Sequence, residues 1–428
     1  MAQALLDGDS GLVDRLSAGL LKPLCNNFVE RPWGGMRMRG YKGLCALPDQ
    51  PAVTGAGLGE AFEIAAYDAD DEARAHPSVL RFEDGSELAL PRLLARHGDA
   101  LLGPSFTSRY GGVFPLLPKT LDVKELLSVQ GHPEGNTEVY VVIDADPGAT
   151  IGLGFRTDQD PEALSRELKA GRATQQRLLE KLAAGADAAR LQAVLAPWLA
   201  AREAGTAGLP PELPPLFAGD IARDVAPLLE QLKHVYWRML DAMNAVPVAP
   251  GRIVNNATPQ RICAATGRAP SAEVHALGNP EQREVLMLEI RRPGPTFRAW
   301  DNVRFPMRDV DVDAALEALN LRRTDADEFI VDPAPVPGRP GVERCVVCAG
   351  FSMERLRPTP AAAAPVPAES PHTLHVLRGR VRVHADSGRE LGTLERGESA
   401  IVAARVGAYH VAADDAHGTE VVRVALPG

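Results

Sequence analysis

From Phe28 to about residue 155 the apolar positions fall in short runs rather than at helical intervals. EAFEIAAY, VFPLLPKTL, LLSVQGH and EVYVVIDA are β-prone, with turn signals such as PGA and GLG between several of them. One helix interrupts them, because LALPRLLARHGDALLG carries Leu and Ala at helical spacing. From 156 to 247 the period changes to i, i+3, i+4. DPEALSRELKAG predicts a helix with Asp160 as N-cap, Pro161 at its first position and Gly171 at its end. RATQQRLLEKLAAG, DAARLQAVLAPWLAAREAG and DIARDVAPLLEQLKHVYWRMLDAMN continue the pattern, so the stretch reads as a helical insertion.

Residues 248–305 return to β character. IVNNATPQRICAATGRAPSAEVHALG is loop-rich, while EVLMLEIRRPG and TFRAWDNVRF read as strands. A short helix is expected over 311–320, and the Pro/Ala stretch 357–371 reads as a linker or long loop. VERCVVCAGFSMERL reads as one strand. Cys345 and Cys348 would then point to opposite faces, and no second C-x-x-C exists to complete a zinc site with them. Residues 372–428 form a compact β unit. Its order of strand, x-G-x, strand, L-x-x-G-E-S, strand, G-x-Y is typical of a cupin half-barrel.

The fold class expected is therefore mainly β with a helical insertion: two cupin (jelly-roll) β-barrels plus an α-helical domain. The boundaries expected are 1–155 with 248–310 for the catalytic barrel, 156–247 for the helices and 311–428 for the C-terminal barrel. A length of 428 residues agrees with two or three domains.

Charge narrows the partners. The formal net charge is −10, which argues against nucleic acid or an anionic membrane as the main partner. A phosphorylated ligand would be repelled at long range, so its site would need a local basic cluster. No apolar run approaches the length of a membrane span, and the N-terminal segment lacks the apolar core of a signal peptide. Five scattered cysteines form no disulfide framework, so the cytoplasm is the expected compartment. No Gly-rich nucleotide-binding segment follows a strand at the N-terminus, which removes a nucleotidyltransferase half.

The most informative chemistry lies in residues 114–155. Gln130 and His132 are two apart on an expected strand, so their side chains leave the same face. Glu138 follows a turn-prone HPEGN, and a hairpin would return it beside them. Imidazole, carboxylate and carboxamide together suit zinc or another divalent ion. A fourth ligand must come from afar, and His275, just before EVLMLEI, has the best context. His375 and His410 of the terminal unit could meet inside their barrel. No carboxylate is spaced to join them, so they read as structural.

These segments resemble the type I phosphomannose isomerases over nearly the whole chain. ERPWGG (30–35) looks like the family's W-G-G segment, and GEAFEIAAY like its G-E-x-W-E-I strand. FPLLPKTLDVKELLSVQGHP is similar to its P-L-L-x-K-x-L-D-x-x-x-x-L-S-x-Q-x-H-P signature. TEVYVVIDADPGATIGLGF, APSAEVHALG and LEIRRPGPTFRAWD look like its remaining site segments. The resemblance implies one zinc ion held by Gln130, His132, Glu138 and His275, with Lys119 and Arg298 in the active site. It also places an acidic residue on Glu289, if one residue is deleted from the turn before Arg298. It implies interconversion of mannose 6-phosphate and fructose 6-phosphate in carbohydrate metabolism. Departures are a short loop between His132 and Glu138, an unusual stretch at 255–271, and Asn136 where the family carries a substrate-binding lysine.

The expected chemistry is a proton shift between C1 and C2 through an enediol. A Lewis-acid metal would polarise the oxygens, and Arg298 would supply a fixed charge where the oxyanion develops. Glu289, Lys119 or a water at the metal would move the proton, while Lys119 could instead grip the phosphate. Two alternatives stand beside this. One is a divergent cupin isomerase for another sugar phosphate; the other is a non-catalytic, metal-containing sugar-binding cupin.

Overall fold

The computed structural model describes residues 1–44, 57–67, 74–132, 137–205, 208–257, 273–348, 350–360, 364–366, 371–414 and 418–426. Asn136, His417, most of the 255–271 stretch and parts of the 357–371 linker lie outside them.

Two pairs of sheets carry the chain. The first pair has a seven-stranded sheet in the order Ile330–Val331, Ile253–Asn255, Glu138–Ala145, Val285–Arg291, Lys119–Val123, Phe28–Gly35, Leu58–Phe62. Facing it is a five-stranded sheet, Met243–Pro247, Thr150–Phe155, His275–Ala276, Val129–Gly131, Phe297–Trp300. Trp33, Leu121, Tyr140, Leu153, Val246 and Met287 are among the side chains that fill the space between them. The second pair joins a seven-stranded sheet, running from Leu20–Leu21 to Ala334–Pro335, to a four-stranded one. Its interior holds Leu356, Leu374, Val383, Leu394 and Val421.

The two sandwiches meet through their larger sheets. Val139, Val141, Leu288 and Ile290 share one apolar cluster with Val346, Met353, Val422 and Val424. The helices Ser10–Ser17 and Leu90–Leu102 contribute to the same cluster. With both faces covered, the Glu138 and Val285 strands lose the usual polar alternation and read as almost continuous apolar runs. The chain crosses the expected boundaries in two places. Leu20–Leu21 pairs with Ser399–Val402, and Ile330–Val331 with Ile253–Asn255.

The helical stretch covers the outside of the five-stranded sheet through Pro161–Leu179, Ala188–Ala200 and Ala226–Ala242. The first of these corrects an expectation, because it runs straight through Gly171. Asp160 does cap it, accepting from the backbone N–H of Ala163. The glycine is there for close approach rather than for termination. A Cβ on Gly171 would meet the Trp300 ring at 2.8 Å, and Trp300 is buried on a strand that borders the site.

VERCVVCAGFSMERL is a hairpin, Val342–Val347 paired with Ser352–Leu356, rather than one strand. Cys348 sits past the first strand with its thiol 3.2 Å from the Phe351 carbonyl. Cys345 is largely buried, and burial pushes its thiol up to about 12, which leaves it inert.

His375 and His410 do not meet. His410 lies on the smaller sheet, half exposed and 3.2 Å from Asp386. His375 is buried in a polar network that joins the two sandwiches. Ser399 Oγ donates to Glu63 at 3.0 Å. That hydroxyl must then accept from His375 Nδ1, 2.7 Å away, and Nε2 is left to accept from Thr373 Oγ1 at 2.8 Å. Lys42 and Thr120 donate to the other oxygen of Glu63. Burial, helped by the Lys42 charge, lowers His375 to about 3.

Two outcomes follow from this network. A histidine that takes its proton only on unfolding costs nothing above its ordinary value of 6.5. Stability is lost as the pH falls from there toward about 3. His375→Gln is expected to remove about 2 kcal/mol of the loss between pH 7 and 5, read by urea unfolding at both values. Glu63→Ala strands the Lys42 ammonium in the interior, and a loss of about 3–5 kcal/mol is expected in the same measurement.

Candidate metal centre and active site

The inner face of the first seven-stranded sheet changes character along its length. At one end it presents Val142, Met287 and Leu121 to the apolar interior. Strand periodicity then places Glu138, Glu289, Arg291 and Lys119 on that face at the other end. Register fixes who meets whom. Arg291 lies opposite Glu138, while Glu289 lies opposite both Tyr140 and Lys119. The facing sheet adds Gln130, which is flanked by His275 on one side and Arg298 on the other.

Ligand atoms of His132, Glu138 and His275, all buried, lie within 4.8 Å of one another. His132 Nε2 is 2.8 Å from one Glu138 oxygen, and His275 Nε2 is 3.3 Å from the other. Gln130 Nε2 stands 3.0 Å from His275 Nε2, while its Oε1 accepts from Ser128. Turning that amide over, which keeps its shape, would aim Oε1 at the cluster.

The donor set fits a zinc-sized ion. Ligands of a tetrahedral zinc stand about 3.4 Å apart when each is ~2.1 Å from the ion. His132 Nε2 is buried and its nearest polar neighbour is the Glu138 carboxylate at 2.8 Å, so it faces the cluster from the same side as the other candidate ligand atoms. The far nitrogens of both rings are held. His132 Nδ1 is 3.1 Å from the Pro295 carbonyl, and His275 Nδ1 is 2.9 Å from the Glu273 carbonyl and 3.0 Å from Asn256 Nδ2. Such outer partners orient metal-binding imidazoles. The Tyr140 hydroxyl donates to Glu138.

Electrostatics prepare the same atoms for a cation. Burial would raise the Glu138 carboxyl. His132, His275 and Arg291 overcome that and hold it well below the usual carboxylate range. Burial lowers His275 to about 4, which keeps its ring neutral and its lone pair available. Burial and the Glu138 charge push Glu289 up to about 8, against the pull of Lys119 and Arg291.

A cavity of about 100 Å³ opens beside the cluster. Arg31, Lys119, Arg291, Arg298 and Arg308 line it, against Glu60, Glu138 and Glu289. An acidic protein thus concentrates cations at one place, the local basic cluster that a phosphorylated ligand requires. Lys119 is held over the Phe62 ring, 4.7 Å from its centroid, and 3.4 Å from Glu60 Oε1. Arg31 Nε donates to Glu60 at 2.7 Å.

The structure therefore brings together Gln130, His132, Glu138, His275, Lys119, Glu289 and Arg298. Sequence reasoning missed Arg31, Glu60, Arg291 and Arg308. For Arg291 a signal existed, because it is two residues from Glu289 on the same strand and must share its face. Arg308 lies beyond the strand and carried none.

Fold and site together define a double β-sandwich protein with a His/Glu cluster able to hold a metal at the end of its first sandwich. Residues 72–149 match the phosphomannose isomerase type I catalytic domain. A mannose-6-phosphate isomerase from Streptococcus mutans is 35% identical over 162 residues, covering 35% of this chain and 44% of the relative. The aligned stretch thus spans less than half of that relative's length. The mannose 6-phosphate isomerase of Bacillus subtilis superposes with a TM-score of 0.59 at 17% identity, over 96% of this chain and 100% of that one. A mannose 6-phosphate isomerase bound with zinc and yttrium superposes at 0.57 and 14% identity, with the same coverage. At such identities the superpositions establish a shared fold. The sequence matches are confined to part of the chain, and there it is similar to the type I phosphomannose isomerases.

His132→Ala is expected to abolish stoichiometric zinc, measured by elemental analysis, while far-UV circular dichroism stays unchanged. Retention of a full equivalent would show that the ligand assignment is wrong.

Proposed function

We propose that the chain is a cytoplasmic, metal-dependent aldose–ketose isomerase. It interconverts mannose 6-phosphate and fructose 6-phosphate through an enediol, with one zinc ion per chain. The observation that carries this is the meeting of His132, Glu138 and His275 at the wall of a cavity lined by five cations. The two sheet pairs are read as two cupin barrels, the first with the site at its end and the helices laid against it.

When bound, zinc supplies Lewis acidity toward the carbonyl and hydroxyl oxygens at C1 and C2. The chain's own residues do the rest. Gln130, His132, Glu138 and His275 would hold the ion. Arg298, on the strand beside Gln130, offers a fixed guanidinium where negative charge builds on the enediolate oxygen. Burial pushes the Glu289 carboxyl up to about 8, and it stands opposite Lys119; in its ionised form it is the base that would take a proton from one carbon and, as the acid so formed, return it to the other. Among the cavity's cations, Arg31 and Arg308 are each paired with a carboxylate, Glu60 and Asp301, so a phosphate dianion would have to share or displace those partners.

The test is a coupled assay over a panel of hexose and pentose phosphates, read together with exchange of the C2 proton in deuterated water. Turnover of mannose 6-phosphate with exchange supports the proposal. Turnover of a different sugar phosphate points to a divergent isomerase. Metal binding without exchange points to a sugar-binding protein that does no chemistry. Arg298→Ala is expected to lower kcat by about 10²–10³-fold with a smaller change in KM.

A further inference from the structure

Arg291 occupies a position that neither metal ligation nor charge balance alone explains. Its side chain is 4% exposed, and its Nε lies 4.0 Å from Glu138 Oε1 and 3.8 Å from Glu289 Oε2. The other side of the guanidinium turns away from the carboxylates. Nη1 approaches the carbonyl oxygens of Gly294 at 3.2 Å and Arg292 at 3.4 Å. Those carbonyls belong to the turn that leads from the Val285–Arg291 strand to the Phe297–Trp300 strand. The next residue but one in that turn after Pro293 is Pro295, whose carbonyl is 3.1 Å from His132 Nδ1. A continuous path of contacts thus runs from Glu138 through Arg291 and the 292–295 turn to the far nitrogen of His132.

We propose that Arg291 is a positioning residue for the metal centre. Its guanidinium ties Glu138 to the turn whose Pro295 carbonyl fixes the tautomer and ring orientation of His132. The planar fork suits this because its N–H groups point in different directions and can serve a carboxylate and a carbonyl at once. An ammonium at the same place would supply the charge without the second connection. A Pro295 carbonyl held in place keeps the proton of His132 on Nδ1, so Nε2 is bare and directed at the cluster. The two prolines that flank Gly294 limit the turn's freedom, and the Arg291 contacts hold it against the strand. The inference rests on the reading of His132, Glu138 and His275 as metal ligands and is independent of the isomerase reading.

The test measures zinc affinity of the full chain by competition with a chromophoric chelator, without substrate. Arg291→Lys keeps the charge and is expected to weaken zinc binding about 10–100-fold. Pro295→Gly keeps the carbonyl but frees the turn, and a loss in the same direction is expected. Because both act through one path, the double variant should lose less than the sum of the single losses, expressed as logarithms of affinity. Zinc affinity of Arg291→Lys equal to that of the unaltered chain overturns the proposal, since charge alone would then suffice. If Arg291→Lys does not fold, unchanged affinity in Pro295→Gly overturns it. An unaltered chain that isomerises no sugar phosphate, while Arg291→Lys still loses zinc, would discard the isomerase reading and keep this one.

Discussion

A carboxylate in a protein interior needs opposite charge within a few ångströms, and the first sandwich is organised around meeting that need at Glu138. Two imidazoles, one guanidinium and a tyrosyl hydroxyl converge on its two oxygens from four separate segments of the chain. Without a cation among them, the carboxylate would pay the full cost of leaving water. The arrangement stays polarised toward positive charge, and the same atoms that stabilise an ionised Glu138 are the ones a divalent ion would share.

What makes this affordable is the division of one sheet face into an apolar length and a polar end. Val142, Met287 and Leu121 continue into a dry interior, while Glu138, Glu289 and Lys119 occupy the next positions along the same strands. Strand geometry carries Gln130, Glu138 and His275 to fixed separations, and His132, one residue past its strand, is steadied by the Pro295 carbonyl of a neighbouring turn. The far face of that sheet is equally buried against the second sandwich. A sheet pinned on both sides has little freedom to shift its register, and register decides which charge meets which.

Much of the site was legible because strand periodicity is simple. A spacing of two between Gln130 and His132, and a turn before Glu138, suffice to put three side chains on one patch. His275 was reachable only by context, since it lies 145 residues from Gln130 in sequence. Arg291 obeyed the same periodicity as Glu289 but was overlooked inside an Arg-Arg pair that looks like a solvated strand end. Gly171 misled for a different reason. A glycine after a helical run looks like a terminator, yet its role was set by Trp300 arriving from 129 residues downstream, and no local pattern announces such a contact. Likewise the hairpin at Cys345 and Cys348 read as one strand, because its turn lacks strong turn chemistry on the first side.

The pairing of Leu20–Leu21 with Ser399–Val402 also sets a timetable. A ribosome delivers the first of these strands long before the second, so the early segment must wait through almost the whole of synthesis for its neighbour. During that interval the outer face carrying Val139, Val141, Leu288 and Ile290 has no sandwich to lie against. Long-range pairings of this sort slow folding and leave sticky surfaces exposed in the nascent chain. The back-to-back packing that steadies the site in the finished molecule is thus also the step at which newborn chains are most open to capture by chaperones or by one another.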